Sequence, residues 1–278
     1  MKKWVKRIAV FFLLVLALMG VRSLFRQTPS FGKSLGVLEI EGTMWTGDAW
    51  VEQIEDFRKD SRIHGVVVRI QSPGGTVAAA QEIFEAIKNL GEMKPVVASM
   101  GTLAASGGLY VALAAPVIFA DPGTITGSIG VKMEHVQVTD LLATLGVKYE
   151  TIKSGRLKDL ASPVRAMSAE ERALIEAMMT EIHEQFKEVV ASARNIEKEK
   201  LQTIADGRIF TGAKALEFGL VDQLGGFLQA VKVAAEKAGI EGEPKLIYGG
   251  KGRVWWMKAF LETARAYLQG PLACYLYP

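Results

Sequence analysis

The chain has 278 residues, of which 49% are hydrophobic and 23% charged, with a formal net charge of +3. This composition predicts a packed core, organised as one large domain or two small ones, and excludes a disordered chain. The positive charge does not indicate a nucleic-acid partner, since much of it lies at the extreme N-terminus, in Lys2, Lys3, Lys6 and Arg7.

Metal and thiol chemistry find little support in the sequence. Cys274 is the single cysteine, which excludes an intrachain disulfide and a thiolate metal cluster. The histidines are His64, His135 and His183, too few and too dispersed to indicate a metal site. A Ser-His-Asp triad is not excluded by counting, but nothing in the sequence supports one. We therefore predict no metal and no cofactor.

The N-terminus carries a membrane-targeting pattern. Residues 8–21, IAVFFLLVLALMGV, form an unbroken apolar run behind four basic residues. We predict a cytoplasmic basic tail and transmembrane anchor over residues 1–26 and a linker over 27–34, with the remainder exported. Fourteen residues also match the apolar core of a signal peptide, although Val21-Arg22-Ser23 is a poor cleavage site. Retention and removal of this segment both stay open.

Residues 35–240 show the pattern of an α/β domain with much parallel pairing. Short apolar runs predict strands over 36–40, 65–70, 95–98 and 117–119, and the segment 76–90 has helical spacing. Ser168 and Glu171 form a capping box that predicts the start of the longest helix, and a further strand is expected before Lys153.

Four segments have compositions that packing alone explains poorly. They are Gln71–Gly75, Met100–Gly108, Thr124–Gly130 and Lys153–Asp159. Each has an ordinary structural interpretation, respectively a Pro-Gly-Gly turn, a small-residue helix, a hydroxyl-rich turn and a solvated lysine loop. Their combination and order carry more weight than any one of them.

Taken in order, these motifs resemble the signal peptide peptidase A family, within the Clp protease and crotonase superfamily. The similar segments are SPGG at 72–75, MGTLAASGG at 100–108, TGSIGV at 126–131, SGRLKDLASP at 154–163 and RIFTGAKALEFGLVDQLGG at 208–226. The resemblance implies an α/β Clp protease/crotonase-like fold built from repeated β-β-α units.

The resemblance also implies a Ser-Lys dyad. The nucleophile falls on Ser106 and the general base on Lys158, rather than on Lys153. A serine hydroxyl attacks efficiently only when a base removes its proton, and lysine can do so only when neutral. Ser128, implied to support the base, can accept a hydrogen bond from it without adding charge. Asp159 is expected to point away, because a neighbouring carboxylate favours the charged lysine.

The implied oxyanion hole uses the backbone amides of Gly75 and Gly107. The implied activity is serine endopeptidase cleavage of remnant signal peptides and other small apolar peptides at the outer face of a bacterial cytoplasmic membrane. Several identical subunits are implied, with an octamer as the family expectation.

Three alternatives remain. The first is a peptidase specialised for one membrane protein, such as a stomatin-like partner. The second is a non-catalytic scaffold, and the third is a crotonase-type enzyme that acts on acyl-CoA.

The C-terminal extension, residues 241–278, is predicted to contain an amphipathic helix over 253–268, whose aromatic residues include Trp255 and Trp256. Such a helix could cover its own subunit, pack on a neighbour or lie in the membrane interface. The sequence leaves these three alternatives open.

Overall fold

The computed structural model describes residues 33–249 and the backbone of residues 274–276. The predicted anchor, nearly all of the linker and the predicted helix over 253–268 lie outside the described residues. Among the helices that the structure does describe, none is both long enough and apolar enough to cross a membrane.

Ten strands are described. They are β1 (Ser34–Glu41), β2 (Ile63–Ser72), β3 (Gly74–Thr76), β4 (Val96–Ala105), β5 (Val117–Ala120), β6 (Ile125–Gly127), β7 (Ile209–Thr211), β8 (Gln223–Leu224), β9 (Lys245–Tyr248) and β10 (Cys274–Leu276).

Eight helices connect or follow these strands in the described residues. They are α1 (Asp48–Lys59), α2 (Val77–Gly91), α3 (Gly107–Ala112), α4 (Thr139–Thr144), α5 (Ala169–Arg194), α6 (Lys198–Gln202), α7 (Gly212–Phe218) and α8 (Phe227–Lys237).

The main sheet has eight strands, with the central order β7-β6-β4-β2-β1-β9. β5 also pairs with β4, and β8 pairs with β5. All its pairs are parallel except β6 with β7. β3 stands outside this sheet and pairs antiparallel with β10. β9 pairs with β1, so the sheet continues past residue 240, into the stretch assigned to the C-terminal extension.

The sheet is covered on both faces, which explains the uninterrupted valine run of β2. Val66 and Val68 belong to the cluster that also contains the buried residues of α1, α2 and α3. Val67 belongs to the opposite cluster, with Ala230 and Ala234 of α8. Each valine removed from water in this way contributes about 1.5–3 kcal/mol before entropy is counted.

The α/β sheet predicted from the sequence is confirmed, and so is the start of the longest helix. Ser168 accepts a hydrogen bond from the Glu171 amide, and the Glu171 side chain accepts one from the Ser168 amide. The strand expected before Lys153 is wrong, because residues 147–153 form no strand. Ile152 is 93% exposed, so the apolar residues of this stretch are not buried in the described core.

Candidate active site

Ser106 lies at the junction of β4 and α3, in a conformation that non-glycine residues rarely adopt. Its backbone has φ 54° and ψ −118°, and its residue surface is only 1% exposed. Its Oγ is buried and has no hydrogen-bond partner among the described residues. Positive φ at a residue with a Cβ costs on the order of 1–3 kcal/mol, so the surrounding structure must hold it in place. This combination is typical of a functional site.

Gly75 and Gly107 come close together beside this serine. A Cβ built on Gly107 would lie 3.2 Å from the Gly75 nitrogen and 3.0 Å from the Met44 Cε. A Cβ on Gly75 would lie 2.0 Å from the Met44 carbonyl oxygen, so only glycine fits there. The Met44 carbonyl also accepts a 2.8 Å hydrogen bond from the Thr76 amide. Met44 therefore packs against the turn that contains Gly75.

The serine of the SPGG segment has a structural role. Ser72 is fully buried, and its Oγ donates a 2.6 Å hydrogen bond to the Gly42 carbonyl. The same oxygen accepts a 3.1 Å hydrogen bond from the Gly74 amide. These contacts fix the turn that leads into β3 and thus position Gly75.

Ser128 is carried to the same place by β6. Ala105 of β4 pairs with Gly127, and the Ser106 amide donates a 2.8 Å hydrogen bond to the Gly127 carbonyl. Ser128 follows with φ 53° and is 7% exposed. The Thr126 hydroxyl donates a 2.7 Å hydrogen bond to the Ala104 carbonyl, which locks the two strands together.

Lys158 lies in an exposed loop. It is exposed, whereas Ser106 is buried. Because the Ser106 Oγ has no hydrogen-bond partner among the described residues, Lys158 is not bonded to it within the described chain. Ser106, Ser128, Gly75 and Gly107 are thus linked by neighbouring backbone contacts, and no hydrogen bond joins the predicted base to Ser106 among the described residues.

Asp159 lies in a turn and directs its carboxylate towards Arg165 and Lys153. Arg165 Nε donates to Oδ2 over 2.8 Å, and Lys153 Nζ contacts Oδ1. The hydrogen bonds from Arg165 and then Lys153 hold the pKa of Asp159 well below its usual range. Glu171 has a pKa of about 2, lowered by the Arg165 guanidinium and the Ser168 amide.

Sequence reasoning missed Met44 and Arg165. Met44 follows β1 in a segment without a distinctive pattern, and only the parallel bridge between Met44 and Gly75 shows its role. The capping box at Ser168 marked the neighbourhood of Arg165 but not its contacts.

Two family models match the part of the chain that contains the candidate site. The model of peptidase family S49 matches residues 88–241, more than half of the chain, and includes Ser106, Ser128 and Lys158. The Clp protease model matches residues 40–120, which include Gly75 and Gly107.

Individual relatives of this chain are also named as proteases. A Synechocystis sp. protein provisionally named a protease is 42% identical over 75% of this chain and 76% of its own length. The chloroplastic serine protease SPPA of Arabidopsis thaliana is 34% identical over 78% of this chain. An Enterococcus faecium protein provisionally named signal peptide peptidase SppA is 37% identical over 63%. The chain spans only 32% of the Arabidopsis protein and 52% of the Enterococcus protein. The chain belongs to peptidase family S49.

Proposed function

We propose that the chain is a membrane-anchored serine endopeptidase in which Ser106 is the nucleophile and Lys158 the general base. The observation that carries the proposal is the strained, buried Ser106, whose Oγ has no hydrogen-bond partner in the described part of the chain and which lies beside a turn where only glycine fits at position 75. A structural serine in such a position would be expected to bond its hydroxyl to a neighbouring carbonyl, as Ser72 does.

The reaction follows from the roles of these groups. Lys158 in its neutral form takes the proton of the Ser106 hydroxyl while Oγ attacks the peptide carbonyl. The amides of Gly75 and Gly107 stabilise the resulting oxyanion, a contribution of about 2.7–4 kcal/mol for one such donor. Protonated Lys158 then gives its proton to the leaving amine, and water hydrolyses the acyl-enzyme. Ser128 accepts a hydrogen bond from the lysine and orients it.

β3 offers a backbone edge for an extended peptide. Residues Cys274–Leu276 pair antiparallel with Gly74–Thr76, and Tyr275 stands opposite Gly75. This edge therefore accepts a strand next to the proposed oxyanion hole. A substrate in the same position would gain main-chain hydrogen bonds that do not depend on its sequence.

The exposed loop of Lys158 supports a homo-oligomer in which a neighbouring subunit completes each site. The segment before this loop exposes several large apolar side chains: Val136, Leu141, Leu145, Tyr149 and Ile152. Leu145 is 66% exposed, and a group of exposed apolar residues along one segment is typical of an interaction surface. A second copy covering this segment would bury these residues and could bring its Ser106 to Lys158. An octamer remains the family expectation.

We further propose that the substrates are cleaved signal peptides and similar apolar peptides, at the outer face of a bacterial cytoplasmic membrane. Support comes from the predicted anchor over residues 1–26 and from the Enterococcus faecium relative, whose name gives this activity. An anchored enzyme would meet such peptides where they are released. Peptidase action on one membrane-protein partner is the alternative within the same chemistry.

The test is hydrolysis of an apolar fluorogenic peptide by the full chain in detergent, comparing wild type with Ser106→Ala. The variant removes one hydroxyl without a hydrogen-bond partner among the described residues, so we expect no hydrolysis and little change in stability. Ser192→Ala, an exposed serine of α5, is the matched control and should behave as wild type. Hydrolysis by Ser106→Ala at the wild-type rate would refute the nucleophile. A wild type inactive on all peptides would favour a scaffold.

A further inference from the structure

The loop that carries Lys158 is built from consecutive tight turns. The Lys158 amide donates to the Gly155 carbonyl over 3.0 Å, and the Leu160 amide donates to that of Leu157 over 3.1 Å. The Ser162 amide then donates to the Asp159 carbonyl over 3.0 Å. Ala161 between them has φ 59°, a conformation that costs energy for a residue with a Cβ. Turns of this kind need contacts elsewhere to hold them in one place.

Arg165 supplies such contacts to Asp159, the residue that follows Lys158. Its Nε donates to the Asp159 carboxylate over 2.8 Å, and its Nη2 donates to the Asp159 backbone carbonyl over 3.1 Å. The Asp159 side chain is only 12% exposed. Arg165 therefore fixes both the side chain and the backbone of the residue next to the proposed base.

The same guanidinium reaches the start of α5. Arg165 Nη1 donates to Glu171 Oε2 over 2.8 Å, and Nη2 contacts the second oxygen. Glu171 is 3% exposed and also accepts from the Ser168 amide, so it is held by the helix itself. Further along α5, Phe186 packs edge-on against Tyr110 of α3, with ring centroids 5.1 Å apart. α3 is the helix that begins directly after Ser106.

We propose that Asp159, Arg165 and Glu171 form a positioning network that ties the turn carrying Lys158 to the start of α5. The inference rests on the proposed function, because the role of these residues is to position the proposed base, Lys158. They are positioning residues, since none of them touches the reacting atoms in this geometry.

The network differs from ion pairs within a single helix in what it joins, and the exposed Arg156–Glu170 pair forms a second link between the same loop and α5. Lys187 and Glu184 are neighbours on one helix and tie no separate elements together. Exposed pairs of that kind contribute about 0–1 kcal/mol. Arg165 instead bridges two carboxylates that belong to a loop and to a helix, with both carboxylates largely removed from water. A planar guanidinium can donate to both carboxylates at once, whereas a lysine ammonium is a single point charge and cannot replace it.

The first experiment measures the loop directly and does not depend on activity. Hydrogen–deuterium exchange is compared for the full chain in detergent as wild type, Arg165→Met, Arg165→Lys and Glu171→Gln. We expect the amides of Lys158, Leu160 and Ser162 to exchange at least about tenfold faster in both Arg165 variants. Protection in β4 and α3 should not change. Unchanged exchange at all three amides would overturn the network.

The second experiment measures catalysis. We expect Arg165→Met and Arg165→Lys to lower kcat by about 10- to 100-fold, with KM within about twofold, because a displaced base slows the chemical step. Arg194 provides the matched control. It forms the corresponding bridge at the other end of α5, to Asp222 and to the Gly219 carbonyl. Arg194→Met should lower the melting temperature but change kcat by less than about twofold.

The outcomes separate the two proposals. If Ser106→Ala or Lys158→Ala remained active, the proposed function would fail, while the exchange experiment would still test the anchoring. If the loop loosened in Arg165→Met but kcat stayed at the wild-type level, the positioning role would be refuted. An equal loss of kcat in Arg194→Met would show a general loss of stability and would also refute it. If Arg165→Met does not fold, Glu171→Gln gives the same comparison, with a smaller loss expected.

Discussion

The Ser106 amide donates a 2.8 Å hydrogen bond to the Gly127 carbonyl, and this contact joins two residues 21 positions apart in the chain. Ser128 follows Gly127 and therefore lies next to the residues that surround Ser106. Both serines have positive φ, 54° and 53°, so each is held in a conformation that its own preferences oppose. The site is thus fixed by backbone contacts between strands before any substrate binds.

The first prediction concerns the base. Lys158→Arg should be as inactive as Lys158→Ala, because a guanidinium does not lose its proton at usable pH. Peptide hydrolysis by wild type and both variants under the same conditions checks this point.

The choice of control for that experiment follows from the structure. Lys153 contacts Asp159 and donates to the Arg156 carbonyl, so its removal disturbs the loop and gives no clean comparison. Lys148, an exposed residue ahead of the loop, is the better control, and Lys148→Ala should keep wild-type activity. Activity in Lys158→Arg near the wild-type level would refute Lys158 as the base.

The second prediction asks which subunit supplies the lysine. Ser106→Ala and Lys158→Ala chains, each inactive alone, are mixed, dissociated and reassembled. If the dyad forms between neighbours, some mixed interfaces join an intact Ser106 to an intact Lys158, and hydrolysis returns. If the dyad forms within one subunit, no intact pair exists in any mixture. Light scattering on the same samples verifies that mixed oligomers form.

The third prediction concerns the C-terminal residues. Deleting residues 252–278 removes the strand that pairs with β3, so the edge beside Gly75 becomes available to added peptide. We expect hydrolysis at Ser106 to persist, with a lower KM for an extended peptide. We also expect altered subunit assembly or membrane affinity, measured by light scattering and liposome flotation. Mass and flotation equal to those of the full chain would show that this tail contributes to neither.

The fourth prediction is a dependence of stability on pH through Glu171. Its pKa is about 2 in the folded chain, against about 4.3 for an unperturbed glutamate. The stabilisation is therefore fully present above the unfolded value and is lost as pH falls towards the folded value. The free energy of unfolding of wild type should exceed that of Glu171→Gln at pH 5–8, and the difference should disappear near pH 2.

Urea denaturation at several pH values gives these free energies. Glu184, which is exposed and pairs within one helix, provides the comparison as Glu184→Gln, and its difference from wild type should be smaller at every pH. A Glu171→Gln difference that did not change with pH would refute the electrostatic origin of the effect.

The sequence by itself determined the local features of this protein. The valine run of β2, the capping box at Ser168 and the glycines around Ser106 depend on neighbours in the chain, so the pattern alone predicts them. Their motif order also indicated the family. The tertiary structure alone showed that Gly75 and Gly107 meet against Met44, because three segments distant in sequence converge there.

The features that the sequence did not predict depend on burial and on pairing between distant residues. An apolar pattern indicates a buried face but does not show which element packs against it. The apolar residues before Lys153 therefore predict a strand, although no described element covers them. In the structure it forms no strand and leaves Ile152 exposed. Arg165 likewise has no local signature, since its carboxylate partners are set by how the loop returns to α5. The sequence shows which side chains are charged, but only the fold determines which oppositely charged groups they contact.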